Sequence, residues 1–249
     1  MSTSQTAQVS DAMPPLSEVS RIADVFANPK RAFADIVVRP RWYVPVVLWV
    51  IIGLCFVVLF TQRVGFERML QQSFDQSPRT QNMTAEQREK SMQVGLAVAK
   101  PMAFASAIAG PPLTVLVVAA VLMLIANSLL GTQITFPQMC AITAYSCLTY
   151  LVSTALAIVV MFIRSPDEFD LKNPLAFNIG AFLNADTAPK WLVSLCTSLD
   201  VFSFWTIALI AIGIMATSRK MTFGKAAVAV LIPWAVVVLL KSAAAGFMS

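Results

Sequence analysis

Apolar residues in this 249-residue chain do not alternate with polar ones; they collect into long runs separated by polar stretches. A helix that crosses a bilayer needs about 20 mostly apolar residues. Five runs reach that length, at about 42–61, 102–130, 138–163, 191–217 and 226–248. The first, WYVPVVLWVIIGLCFVVLFT, carries no charge. A backbone surrounded by lipid must satisfy its own hydrogen bonds, which favours helices. A transmembrane barrel would show alternating strands of about ten residues, and these runs do not alternate. The pattern therefore predicts an all-α fold: a polytopic membrane helix bundle with five transmembrane helices plus short amphipathic interfacial helices.

The polar stretches divide the chain further. Residues 1–14 are mostly Ser, Thr, Gln and Ala and read as a disordered N-terminal tail. Residues 15–41 read as an amphipathic segment at the cytoplasmic face, and residues 42–249 as the five-span membrane domain. Leu16, Val19, Ile22, Ala23 and Phe26 recur at helical spacing. Asn28 then suits a helix cap and Pro29 a first helical turn. Phe33, Ile36 and Val37 form the next apolar face, and Pro40 stops the helix before the aromatic pair Trp42 and Tyr43. Lys30, Arg31, Phe33, Arg39, Arg41 and Trp42 together make an interfacial anchor in this reading. The alternative is a helix packed on the protein's own cytoplasmic loops. Two longer loops, 62–100 and 164–190, read as caps over the other end of the bundle. Thr84 and Gln87 have capping-box spacing, and Asn173 with Pro174 predicts a short helix carrying Leu175, Ile179, Phe182 and Leu183 on one face.

Composition strengthens the membrane reading. The chain is 57% hydrophobic and only 12% charged, against about 25% charged in soluble domains. Its mean hydropathy is +0.73 and its pI about 9.2. The excess of five positive charges is spread along the chain, which points to anionic lipid headgroups and not to nucleic acid. No short basic region and short apolar stretch of signal-peptide form opens the sequence, so the first run is expected to stay as an anchor. Lys and Arg totals on the two faces are nearly equal, so proximity decides orientation. Arg39 and Arg41 abut the first run, and SRKMTFGK, between the last two, has three cations and no anion. The expectation is an inner-membrane protein with a cytoplasmic N-terminus and an external C-terminus.

Candidate chemistry is sparse. Histidine is absent, so neither a Cys/His zinc site nor a His-based triad is available. Cys55, Cys140, Cys147 and Cys196 lie in apolar runs without paired ligand spacing and read as packing residues. No metal or cofactor is expected. One feature inside the runs stands out: TSLDVFSFW places Asp200 alone among apolar residues. Counting from the opposite ends of their runs, Asp200 lies about 26 Å and Lys241 about 23 Å along their helices. An intramembrane charge tends to find a partner, so a structural pair of Asp200 with Lys241, direct or through Ser and Thr hydroxyls, is expected. The alternative is that each snorkels separately to the interface. A lone carboxylate does not make a proton-sharing protease dyad. Gly110, Pro111 and Pro112 predict a helix break, either architectural or lining a path as in transporters. Asn127, Thr143, Ser146, Thr149, Ser153 and Thr154 are candidates for hydrogen bonds between helices.

VFANPKRAFADIVVRPRWYVPVVL, NPLAFNIGAFL, SLDVFSFWTIALIAIGI and KAAVAVLIPWAVVVLL resemble segments of bacterial members of the YIP family, multi-pass proteins named for interaction with Ypt/Rab GTPases. The resemblance covers most of the chain from about residue 20. It implies five spans and a cytoplasmic N-terminus, and no enzymatic activity. The acidic DLYGP-type element of the eukaryotic branch is missing, and Tyr145 and Ser146 are followed by CLTY, so GTPase binding is not expected to carry over. The expected role is a non-catalytic scaffold or membrane-organising, trafficking-like factor, with the bilayer and other membrane proteins or further copies of itself as partners. The alternative is a small transporter or channel subunit.

Overall fold

The computed structural model describes residues 15–75, 83–171, 173–184, 187–218 and 220–247. The expected disordered tail lies outside the described residues, as do residues 76–82 of the 62–100 loop, Lys172, Arg219 and Met248. Within them the architecture is all-helical, with one isolated backbone bridge between Asn178 and Asp200. The helices are α1 (Glu18–Ala27), α2 (Pro29–Val38), α3 (Tyr43–Arg63), α4 (Phe66–Asp75), α5 (Ala85–Leu130), α6 (Phe136–Ser146), α7 (Leu148–Ile163), α8 (Lys190–Ser198), α9 (Val201–Ala216) and α10 (Phe223–Phe247).

Four stretches are long and apolar enough to cross a membrane: Tyr43–Arg63, Ala85–Leu130, Phe136–Ile163 and Phe223–Phe247. The fifth apolar helix, Val201–Ala216, is shorter. The expected third run is thus α6 and α7 meeting at Cys147. The expected fourth run is not one helix: it is interrupted at Leu199 and Asp200, so only α9 remains of its apolar half.

Gly110, Pro111 and Pro112, the expected kink, do not end the helix: α5 stays helical through all three residues. At 46 residues it is about 69 Å long, more than twice the ~30 Å hydrocarbon thickness. Pro111 cannot bond the Ala107 carbonyl four residues back. The neighbouring α3 comes close there: a Cβ on Gly53 would sit 3.8 Å from Ala107 O. A small residue on α3 thus lets one helix cover the gap that proline leaves in the other. The start of α5 has the expected capping box, with Gln87 N donating to Thr84 Oγ1 and Thr84 N to Gln87 Oε1. Its end turns at Gly131, whose φ of 63° favours glycine. Asn127 closes that turn by accepting from Ile134 N (3.0 Å) and donating to Ile134 O (3.0 Å).

The main core joins α2, α5, α6, α9 and α10 around Phe33, Ile36, Tyr145, Ile142 and Ile214. The α1–α2 hairpin is therefore part of the bundle. Phe33 is wholly buried (0% exposed), which corrects its assignment as a lipid-facing anchor. The hairpin also runs along α9: Phe33 meets Gly213, while Phe26 stacks edge-on against Trp205 at 5.4 Å. Those two contacts are eight residues, about 12 Å, apart on α9. A second cluster around Phe60, Phe66, Met161 and Phe169 ties α4 and the 165–171 loop over the opposite end. The helix expected after Asn173 reduces to a 3-10 turn, Ile179–Phe182. Phe177 O and Ile179 N are committed to Val201 N and Leu199 O (3.1 and 3.3 Å), so the backbone there is unavailable to a longer helix.

Gly213 is where three helices converge. A Cβ there would lie 2.4 Å from Ile142 Cγ2 and 3.1 Å from Phe33 Cδ1. Gly213→Val should lower stability by about 1–3 kcal/mol through overpacking, read as a lower midpoint of thermal unfolding in mild detergent. An unchanged midpoint would contradict this close approach.

Candidate functional site

The polar groups gather in two places, one at the hairpin and one at the interruption before α9. At the hairpin, Arg21 projects from α1 into the protein and is 1% exposed. Its Nε donates to Asp35 Oδ2 of α2 at 2.6 Å, and its Nη1 to Glu18 Oε1 at 3.0 Å. The Tyr145 hydroxyl of α6 donates to the other Glu18 oxygen at 2.5 Å. Asp35 also accepts from the Leu16 N–H (3.3 Å) and pairs with Arg39, while Arg41 reaches Glu18 at 3.2 Å. Gln138 of α6 donates to Val37 O at 3.0 Å. The buried guanidinium is thus met by two carboxylates, as a buried charge requires. Burial pushes the Asp35 carboxyl up, but the hydrogen bonds from Arg21 and Leu16 and the charges of Arg21 and Arg39 outweigh it. The net result holds Asp35 below the usual carboxylate range.

Sequence reading missed this clasp, since Glu18, Arg21 and Asp35 look like the solvated side of amphipathic helices. The available signals were Glu18 to Arg21 and Asp35 to Arg39, at i,i+3 and i,i+4 spacing. Of the expected anchor, Lys30 and Arg31 are exposed, with Arg31 Nη1 3.4 Å from Asp24 Oδ2. Arg39 and Arg41 face the clasp, and Trp42 is half-buried against the core. Part of the apolar face of α1 is left open: Val19 is 78% exposed and Ala23 is exposed beside it, while Ile22 and Val25 pack inward.

At the other end of α9, Asp200 is the residue that caps the helix. Its Oδ1 accepts from Phe202 N (2.9 Å) and Ser203 N (3.0 Å), and its Oδ2 from the Ser203 hydroxyl (2.5 Å). A carboxylate at a helix N-terminus satisfies free N–H groups and complements the helix dipole. Lys241 donates instead to Ser198 Oγ at 3.3 Å. Among the described residues no ion pair joins Asp200 to Lys241; the interruption before α9 gives the carboxylate backbone partners that a continuous helix would have withheld. Asn178 and Gly180 brace the interruption from the loop side. A Cβ on Gly180 would sit 2.9 Å from Thr197 N, and Asn178 Oδ1 accepts from Ala181 N at 3.0 Å.

Of the candidate interhelical hydroxyls, Thr149 of α7 meets Thr206 of α9 at 2.5 Å. Thr154 bonds its own helix at Tyr150 O (2.8 Å), and the Thr143 and Ser146 hydroxyls are buried without a partner. Beside the Thr149–Thr206 contact lies a cleft of about 300 Å³ between α5, α7, α9 and α10, with Val121, Tyr150, Ser203 and Trp234 among its walls.

The chain is therefore a multi-span helical membrane protein with an N-terminal helical hairpin built into its bundle. It belongs to the family defined by the Yip1 domain, whose profile matches residues 23–244. That range takes in α2 with Asp35, Tyr145, the Asp200 site and nearly all of the spanning stretches, while Glu18 and Arg21 of the clasp lie just before it. No curated protein and no solved structure matches the chain.

Arg21→Met removes the cation that faces both carboxylates. It should cost about 3–5 kcal/mol and expose residues 15–41 to limited proteolysis. Because Asp35 is held low, its contribution to stability is present above about pH 4, the unfolded carboxylate value. That contribution should be lost as pH falls below this, so acid alone should loosen the same segment, and a hairpin equally protected at pH 3 and pH 7 would contradict the assignment. At the second site, Asp200→Ala should cost about 1 kcal/mol as a lost cap, and the effect of adding Lys241→Met should be additive. A coupling energy well above zero in that double-mutant cycle would restore a direct pair.

Proposed function

We propose that the protein is a non-catalytic membrane scaffold, organising the bilayer or neighbouring membrane proteins from the face that carries the α1–α2 hairpin. The observation that carries this reading is the clasp: Glu18, Arg21, Asp35 and Tyr145 hold the hairpin in place. That fixed hairpin presents Val19 and Ala23 of α1, with Lys30 and Arg31 of α2 also exposed. Exposed apolar residues together with cations suit an anionic membrane surface or a partner lying on it. We place this face in the cytoplasm and the C-terminus outside, in the inner membrane of a bacterial cell, with Arg39, Arg41 and Lys225 supporting that orientation.

Three features that would serve a transporter line no polar path here. Gly110, Pro111 and Pro112 lie within a continuous α5. Asn127 closes the turn after α5, and Ser146 is fully buried in the core. These observations favour the scaffold over the carrier.

Cysteine accessibility separates the two readings. With the native cysteines replaced, Ser146→Cys in sealed vesicles should resist a membrane-impermeant thiol reagent, while Met83→Cys on the exposed start of the α5 cap should react readily from its own side. Reaction at 146 as fast as at 83 would establish a water path and overturn the scaffold. In the same vesicles, tags at residue 1 and after residue 249 should be reached from opposite sides.

A further inference from the structure

We infer that the cleft between α5, α7, α9 and α10 is a lipid site: it holds an acyl chain of an anionic glycerophospholipid, whose phosphate is bound by Lys241.

The cleft has a floor and a mouth. Leu122, Ile207, Ile210 and Val230 are buried along its floor, while Val121 and Val237 at its mouth are 42% and 63% exposed. These helices are the membrane-spanning part of the protein, so the mouth opens on hydrocarbon and the natural occupant is a hydrocarbon chain. The walls from Ser203 to Ile210 on α9 and from Val230 to Val237 on α10 are each about 10 Å long. That is a large part of one leaflet, about 15 Å or half the hydrocarbon thickness.

The cleft is also polarised along its length. Three of its four hydroxyl-bearing residues, Tyr150, Ser203 and Thr206, gather on α7 and the Asp200 half of α9, while Ile207 and Ile210 continue the α9 wall as aliphatic surface. Lys241 continues the α10 face that lines the cleft, since Val230, Trp234, Val237 and Lys241 follow one another at helical spacing of four, three and four. Lys241 is exposed and donates to the neutral Ser198 hydroxyl at 3.3 Å. Asp200, the acid at the same end, is already committed to the N-terminus of α9. One wall therefore presents an ammonium above a chain-sized apolar slot, in the same order as phosphate above acyl chain in a phospholipid. A second copy of the protein would fill the slot with side chains but would leave Lys241 without an anion.

The test uses the full chain in phosphatidylcholine vesicles with a trace of phosphatidylglycerol bearing a diazirine on its acyl chain. After irradiation, adducts should concentrate on the peptides holding residues 117–122 and 230–237. They should exceed those on the lipid-exposed side of α3, at Val47 and Ile51. Phosphatidylcholine with the same diazirine should label the cleft about fivefold less, the factor one basic residue contributes against anionic lipid. Lys241→Gln should abolish that headgroup difference, and Val121→Trp, which fills the mouth, should lower cleft adducts for both lipids. Equal labelling of the cleft and α3, a headgroup difference that survives Lys241→Gln, or cross-links between two copies through the cleft would each overturn the assignment.

Discussion

A peptide group in hydrocarbon has nothing to bond but the chain it belongs to, and every departure of this protein from a straight helix is shaped by that constraint. Where α5 ends, the Asn127 side chain takes the place of the next helical turn by bonding both the N–H and the carbonyl of Ile134. Where α8 gives way to α9, Asp200 gathers the first free N–H groups, and residues 177 and 179 supply backbone partners from the facing loop. Where Pro111 leaves a carbonyl unbonded, α3 approaches through Gly53. Asn127 and Asp200 thus bond backbone groups that the helices leave free.

The hairpin obeys the same logic at a larger scale. Its apolar face, Ala32, Phe33, Ile36 and Val37, fills a space among α6 and α9 that Gly213 keeps open. Burying that face draws Arg21 inside with it, and the guanidinium then needs Asp35, Glu18 and Tyr145 around it. Hydrophobic contact supplies the attraction, while the charges, costly to bury unless matched, select one seating of the hairpin over others.

Much of this was legible from residue order. Runs of apolar residues located the spanning helices, because length and charge depletion are imposed by the bilayer and need no tertiary information. Local caps, such as Thr84 with Gln87, were equally readable. Contacts between distant segments were not. An unbroken helix from Trp191 to Thr217 would match Asp200 with Lys241 by depth alone; the interruption at Leu199 gives it nearer partners. An amphipathic face does not reveal whether lipid or protein covers it, so the burial of the hairpin is not written in its sequence. Pro111 and Pro112 weaken a helix on paper, yet α5 continues through them beside a close neighbour.

The brevity of α9 bears on the membrane as well as on the protein. Its 16 residues reach about 24 Å, several ångströms less than a typical hydrocarbon layer of about 30 Å, and its capped end is anchored by a carboxylate that favours water. Lipids beside it must shorten or tilt to meet it, at a cost of fractions of a kcal/mol per ångström of mismatch. A helix shorter than the layer it meets is accommodated at least cost where the bilayer is thin.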